Sequence, residues 1–189
     1  ISLAFPASFI SIDTFHGKVA KEAVAAGAVI VNDISGGSFD KDMIATVASM
    51  QTPYVCMHVK GNAATMHSPH LYETVCTDVI DYFIQKIATC TKAGIPDIIL
   101  DPGFGFSKSG TENFDLLKYF EVFTMLQKPI LLGVSRKSTI YKTLGITANE
   151  SLNGTTVLHT AGLLKGATIL RVHDVKEAME AITLTRHLL

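Results

Sequence analysis

Six apolar runs each end on side chains able to bind a ligand. FISI (9–12) is followed by Asp13, and AVIV (28–31) by Asn32 and Asp33. YVCM (54–57) ends on Met57 and His58, and IIL (98–100) meets Asp101. ILLG (130–133) leads into Ser135, Arg136, Lys137 and Ser138, and TILRV (168–172) carries Arg171 and leads into His173 and Asp174. The clusters sort by charge. Asp13, Asn32 and Asp101 come early and offer acceptors for a ligand rich in N–H donors, although Asn32 can also donate. Lys137, Arg171 and His173 come late and offer donors to phosphate, Arg as a fork and Lys as a point charge. A ligand with an amino-heterocycle at one end and a phosphate ester at the other satisfies both.

The stretch IILDPGFGFSK (98–108) ends an apolar run on a carboxylate and follows it with Pro102 and two glycines alternating with two phenylalanines. A buried carboxylate is costly unless paired. Asp101 can pair with two adjacent N–H groups of a flat guanidine-like ring edge, as a carboxylate pairs with Arg. Gly103 and Gly105 would let backbone approach a ligand. Phe104 and Phe106 either wall a second, aromatic compartment or are ordinary packing. Each polar residue also has a plain structural reading. Asp13 and Asp101 equally suit turns or caps. His58 suits a satisfied structural histidine, and Lys137 a solvated helix start. Asp174 with Glu177 three residues on has the form of a capping box, the stronger reading for that residue. His58, His67 and His70 do not share one helical face, which argues against zinc.

The elements that must position these residues follow a simple rhythm. The apolar runs are rich in Val and Ile without alternation, as in strands covered on both faces. Between them KVAKEAVAAG (18–27) and TVCTDVIDYFIQKIATCTKAG (74–94) place apolar residues at helical spacing and stop on Gly27 and Gly94. DVKEAMEAI (174–182) is a third such stretch. The order is βα, six times. Units of about 30 residues, eight of them making about 250, are those of a (β/α)8 barrel. An open doubly wound sheet would also use six units, but no Gly-rich dinucleotide fingerprint follows a strand. In either fold the strand ends line one mouth.

Bulk properties narrow the partners. The 189 residues carry a formal net charge of −1, which offers nothing to nucleic acid or anionic lipid. No apolar stretch is long enough to span a bilayer. Three cysteines, without metal-ligand spacing, read as reduced thiols of a cytoplasmic protein. The opening ISLAFPASF has no Met and no helix cap, so Ile1 is expected not to be the native start.

With these blocks in hand, the sequence resembles the dihydropteroate synthase family. SIDTF, VNDISGG, MH-x-x-G, LDPGFGFSK, LLGVSRKS and RVHDV occur in the family's order from Phe5 onward. The resemblance implies an α/β fold, a (β/α)8 TIM barrel, with this chain supplying six βα units (strands 3 to 8). It implies one pterin-binding domain over residues 1–189, lacking the first two units and inactive and poorly stable alone. It also implies the joining of 6-hydroxymethyl-7,8-dihydropterin pyrophosphate to p-aminobenzoate in folate biosynthesis. Asp13, Asn32, Met57, Asp101, Gly133 and Lys137 would then bind pterin. Arg171 and His173 would bind pyrophosphate. Phe106, Lys137 and Ser138 would contact p-aminobenzoate. A magnesium ion and a homodimer are also implied, with no metal ligand in this segment. Two other readings share the early acidic residues: a pterin-binding methyltransferase domain, and a non-catalytic pterin-binding module.

Overall fold

The computed structural model describes residues 1–189. Six parallel strands follow one another: β1 (Ser11–Asp13), β2 (Ile30–Asp33), β3 (Tyr54–Met57), β4 (Ile98–Asp101), β5 (Leu131–Leu132) and β6 (Ile169–Leu170). The helices between and after them are α1 (Gly17–Ala25), α2 (Met43–Met50), α3 (Val75–Ala93), α4 (Gly110–Lys118), α5 (Ser138–Leu144), α6 (Leu152–Leu164) and α7 (Val175–Thr185). A 3-10 turn, Phe120–Leu126, follows α4. Strands β1 to β4 pair in sequence order, as do β5 and β6, and a Leu100–Ile130 bridge joins the two groups. This is a continuous arc of a (β/α)8 barrel, not an open doubly wound sheet.

Burial explains why the strands lack alternation. All four residues of β3 are buried. Val31, Tyr54, Cys56, Leu100 and Leu132 from the strands share one core with Val47, Val79, Phe83, Leu116, Phe120 and Phe123 from the surrounding helices. A helix layer outside and apolar walls inside leave no polar face on such a strand. The last two strands are shorter than their apolar runs. The Ile130 amide donates to the Thr168 hydroxyl at 2.8 Å, so the β5–β6 register begins one residue later.

Helix ends correct one expectation. Asp174 precedes α7 but makes no side-chain cap. Its carboxylate instead takes both arms of Arg136, at 2.9 Å from Nε and 2.7 Å from Nη2. A bidentate guanidinium outcompetes a single backbone amide for the same two oxygens. The capping box lies instead at α4, where Ser109 and Glu112 bond each other's backbone amides. Helix α3 stops on Gly94 at φ +91°, as the sequence suggests.

Candidate functional site

Parallel register sets the site. Asp13 pairs with Asn32, which continues through Val55 to Ile99, while Met57 pairs with Asp101 two residues further along. Met57 and Asp101 thus stand one step above Asp13 and Asn32 at the same end of the strands. Below the rim a cavity of about 290 Å³ runs through the arc. Asp13 and Asn32 line it from one side and Arg171 from the other, with Val55, Ile99, Leu131 and Ile169 as its apolar walls. Residues from the first and last strands thus face one hollow.

Asp101 is wholly buried. Its carboxylate accepts the Gly103 amide at 2.8 Å and approaches Arg171 Nη1 at 3.1 Å. Asp101 Oδ2 and Arg171 Nη1 are close in distance but poorly aligned, and neither completes a hydrogen bond. A buried pair with unspent capacity on both sides is suited to an incoming polar ligand. The acidic and basic groups, expected to serve opposite ends of a ligand, are in direct contact here.

Gly133 is explained by the same pair. A Cβ there would lie 2.7 Å from Arg171 Nη2 and 3.2 Å from Cζ. Glycine lets the guanidinium lie flat against the end of β5. A side chain at Gly133, just past β5, would crowd the guanidinium in its approach to Asp101.

The loop after β4 turns back over the rim. Gly103 and Gly105 both have positive φ, +74° and +77°. A Cβ at Gly103 would collide with the His58 carbonyl. This close approach is to the protein's own backbone rather than to open space. Phe104 does not wall a compartment: it is buried in the core, with its ring 6.2 Å from Phe120. Phe106 stays half-buried, with the ring of His67 5.1 Å away. Lys137 reaches across from the start of α5. Its ammonium bonds the Phe104 carbonyl and lies 4.9 Å from the Phe106 ring centroid. Burial lowers the Lys137 pKa to about 8, although Asp101 opposes that shift. Ser138 is the next residue and opens α5.

His173 stands just past β6, exposed. Its amide donates to Ser135 Oγ at 3.2 Å, and its Nδ1 lies 2.8 Å from the same oxygen. When the hydroxyl donates to Nδ1, the remaining proton sits on Nε2 as a free donor. His58 has the structural character expected of it. It is buried, its ring meets Tyr82 edge-on at 4.9 Å, and burial holds its pKa well below the usual value.

Sequence reasoning missed Lys108. It is only 6% exposed, and its ammonium lies 2.9 Å from His58 Nδ1. Its position directly after the Gly-Phe-Gly-Phe-Ser turn was the available signal, because a lysine following a buried turn can fold back under it.

An arc of parallel strands with carboxylates, an amide and two cations gathered at one end defines a barrel protein whose C-terminal mouth is suited to a small polar ligand. The family follows from comparison. Residues 3–173 match the pterin binding enzyme family, and the chain belongs to it. It is 39% identical over 176 residues to the dihydropteroate synthase of Escherichia coli strain K12, covering 92% of this chain and 62% of that protein. It is 38% identical to a folate synthesis bifunctional protein of Arabidopsis thaliana, covering 93% of this chain and 39% of that one. It superposes with TM-score 0.93 on a crystal structure of dihydropteroate synthase from Thermus thermophilus in complex with 4-aminobenzoate. That match has 33% identity and covers 99% of this chain and 73% of that one. Dihydropteroate synthase from Xanthomonas albilineans in complex with 7,8-dihydropteroate gives TM-score 0.90 at 33% identity, covering 99% of this chain and 71% of that one. The chain thus spans less than two thirds of the length of the bacterial sequence relative.

Proposed function

We propose that the protein to which this chain belongs is a dihydropteroate synthase, joining 6-hydroxymethyl-7,8-dihydropterin pyrophosphate to p-aminobenzoate. One observation carries the proposal: the cavity between β1 and β6 brings Asp13, Asn32 and Arg171 onto one hollow, with Asp101 in contact with Arg171. A single small molecule can meet acceptors and an anion-binding fork there. The likeness to relatives solved with 4-aminobenzoate and with 7,8-dihydropteroate supports it.

In this reading Asp101 and Asn32 grip the polar edge of the pterin, Asp13 closes its side, and Met57 lies along the ring. Gly133 contributes by admitting Arg171. Arg171 exchanges Asp101 for the diphosphate when substrate enters, and His173 adds its Nε2–H. Lys137 and Ser138 border p-aminobenzoate, with Phe106 as an aromatic wall. The C–O bond between the pterin methylene and diphosphate breaks, its electron pair leaving with diphosphate. The cationic methylene is stabilised by electron release from the dihydropterin ring. The p-aminobenzoate nitrogen then forms the C–N bond and loses a proton. The protein contributes positioning and a preorganised field rather than a nucleophile.

Magnesium belongs to the proposal only through the substrate. No three His, Cys, Asp or Glu side chains of this chain gather as metal ligands. These residues do not form a cage for the ion, and no step above rests on it. A hard cation would be carried by diphosphate oxygens. A homodimer in the cytoplasm is also proposed. No helix is long and apolar enough to cross a membrane, and exposed Leu144, Val157 and Met179 on α5, α6 and α7 offer apolar surface to a second copy.

The test is pyrophosphate release by the full-length protein from the dihydropterin substrate. Release that requires p-aminobenzoate supports the synthase. Methyl transfer from a methylated folate to a corrinoid, without pyrophosphate release, would replace it by the methyltransferase reading. Pterin binding without either turnover would replace it by the non-catalytic module.

A further inference from the structure

We propose that Lys108 is a positioning residue, an internal ammonium that fixes the loop carrying Phe106 and the Phe104 carbonyl. The proposal rests on the synthase reading above and deepens it.

The geometry uses all three donors of an ammonium group. Lys108 Nζ lies 2.9 Å from His58 Nδ1, 3.2 Å from the Gly103 carbonyl and 3.2 Å from the Phe106 carbonyl. When Lys108 is protonated, His58 accepts at Nδ1 and carries its proton on Nε2. The His58 amide in turn donates to the Asp101 carbonyl at 2.9 Å. One buried nitrogen thus ties both ends of the Gly103–Phe106 turn to the ends of β3 and β4.

The turn's amides are held elsewhere, Gly103 by Asp101 Oδ1 at 2.8 Å and Gly105 by Asn113 Oδ1 at 2.7 Å, and Phe104 anchors it in the core. Lys108 is the side chain that takes the Phe106 carbonyl. Gly103 and Gly105 hold positive φ, and so does Ser107, at +52°. Ser107 is pinned from outside by its amide to the Met66 carbonyl at 2.7 Å and by Tyr72 at its hydroxyl. On the ligand side Lys137 holds the Phe104 carbonyl. The loop is suspended between two lysines, one beneath it and one facing the site. Lys108 bonds the carbonyls on either side of the Phe104–Gly105 step, so it helps set both the Phe104 carbonyl that Lys137 meets and the aim of the Phe106 ring.

A position that needed only apolar filling would not hold a charge. Burying an ammonium is costly, and burial pulls the Lys108 pKa down to about 7. Its compensation is the three acceptors together with the nearby Asp101 carboxylate. Glu112 adds a weaker attraction, and Lys137 and Lys60 oppose it. Replacement by a hydrophobic side chain of similar size would relieve that cost but leave the Phe106 carbonyl and the buried His58 Nδ1 without a donor, so melting temperature alone does not test the positioning role.

The experiment compares Lys108→Met and Lys108→Gln in the full-length protein, reading KM for each substrate and the melting temperature. Met has no donors. Gln is neutral but keeps two N–H groups for the two carbonyls. The expected result for Lys108→Met is a rise of about tenfold in KM for p-aminobenzoate, with KM for the dihydropterin pyrophosphate changed by less than about threefold. Lys108→Gln should recover most of that loss. Unchanged KM for p-aminobenzoate in Lys108→Met overturns the proposal. So does a parallel rise in both KM values with a falling melting temperature, and so does Lys108→Gln behaving no better than Met. Should Lys108→Met fail to fold, Lys108→Gln decides alone. Selective weakening of p-aminobenzoate, smaller than tenfold, then supports the proposal, and no selectivity overturns it. Absence of turnover in the unmodified protein would instead sink the synthase reading.

Discussion

Gly133→Ala separates the role of Arg171 from that of the scaffold. The added Cβ would sit 2.7 Å from Arg171 Nη2, 3.2 Å from Cζ and 3.3 Å from Nε. Comfortable contact needs about 3.5 Å, so the guanidinium must retreat by roughly 0.8 Å. Its approach to Asp101 is already 3.1 Å and poorly aligned, so a retreat of that size ends it. The nearest atoms all belong to a flexible side chain, and Gly133 is not at positive φ. The backbone therefore has no reason to move, and stability should change by less than about 1 kcal/mol. A displaced arginine forfeits a charge-assisted interaction with diphosphate, about 1.5–3 kcal/mol. Affinity for pyrophosphate should fall roughly 10- to 150-fold. Titration calorimetry with pyrophosphate, run beside thermal melting, reads both numbers. An unchanged affinity would refute the reasoning. Weaker binding with a large drop in melting temperature would refute it too, because the Cβ would then be moving the backbone.

Other changes test the neighbouring groups. Asp101→Asn removes the acceptor-only group beside Arg171, Lys137 and Lys108, and should weaken dihydropterin binding by about 10- to 100-fold in a direct titration. Gly103→Ala forces a Cβ into the His58 carbonyl at φ +74°. It should cost several times the ~1–3 kcal/mol of ordinary backbone strain, read as a collapsed denaturation midpoint. Lys137 titrates near 8 rather than 10.5 because of burial. Between those values the folded state binds fewer protons than the unfolded, so this group makes stability rise with pH across that window. Its positive charge, however, disappears as pH climbs through 8, and substrate affinity should decline there. Lys137→Arg should abolish that decline in a pH profile. Measuring in the Lys108→Gln background removes the second lysine that titrates nearby.

The fold was legible because parallel barrel strands announce themselves as unbroken apolar runs, and β3 is buried at every position. The rim was legible because polar residues at strand ends cannot hide in that pattern. What the sequence did not reveal were partnerships across distance. Asp174 and Glu177 had a capping spacing, yet Arg136, 38 positions earlier, takes the carboxylate. Phe104 and Phe106 alternate with glycine and look equivalent. A turn with two positive-φ glycines sends one ring into the core and leaves the other half-buried at the rim. Lys108 looked like the end of a motif. Only the folded turn shows it beneath the loop, 50 residues from the histidine it meets. Gly133 was placed at the site by family likeness, and its physical reason, the guanidinium lying against it, is tertiary.

The arc itself makes one more prediction. Strand β1 pairs only with β2 and β6 only with β5, so each presents a free parallel edge. Yet Ser11 and Asp13 from β1 line the same hollow as Ile169 and Leu170 from β6. The two edges face each other across the cavity rather than diverging, as the curvature of a (β/α)8 barrel requires. Free edges beside an apolar hollow are templates for pairing with another chain. The 189-residue polypeptide expressed by itself should therefore bind a hydrophobic dye and self-associate as concentration rises. A monodisperse species by sedimentation, with a sharp cooperative melt and no dye binding, would mean that the arc is satisfied without further strands. The rim residues would then be held in place by the six described strands alone.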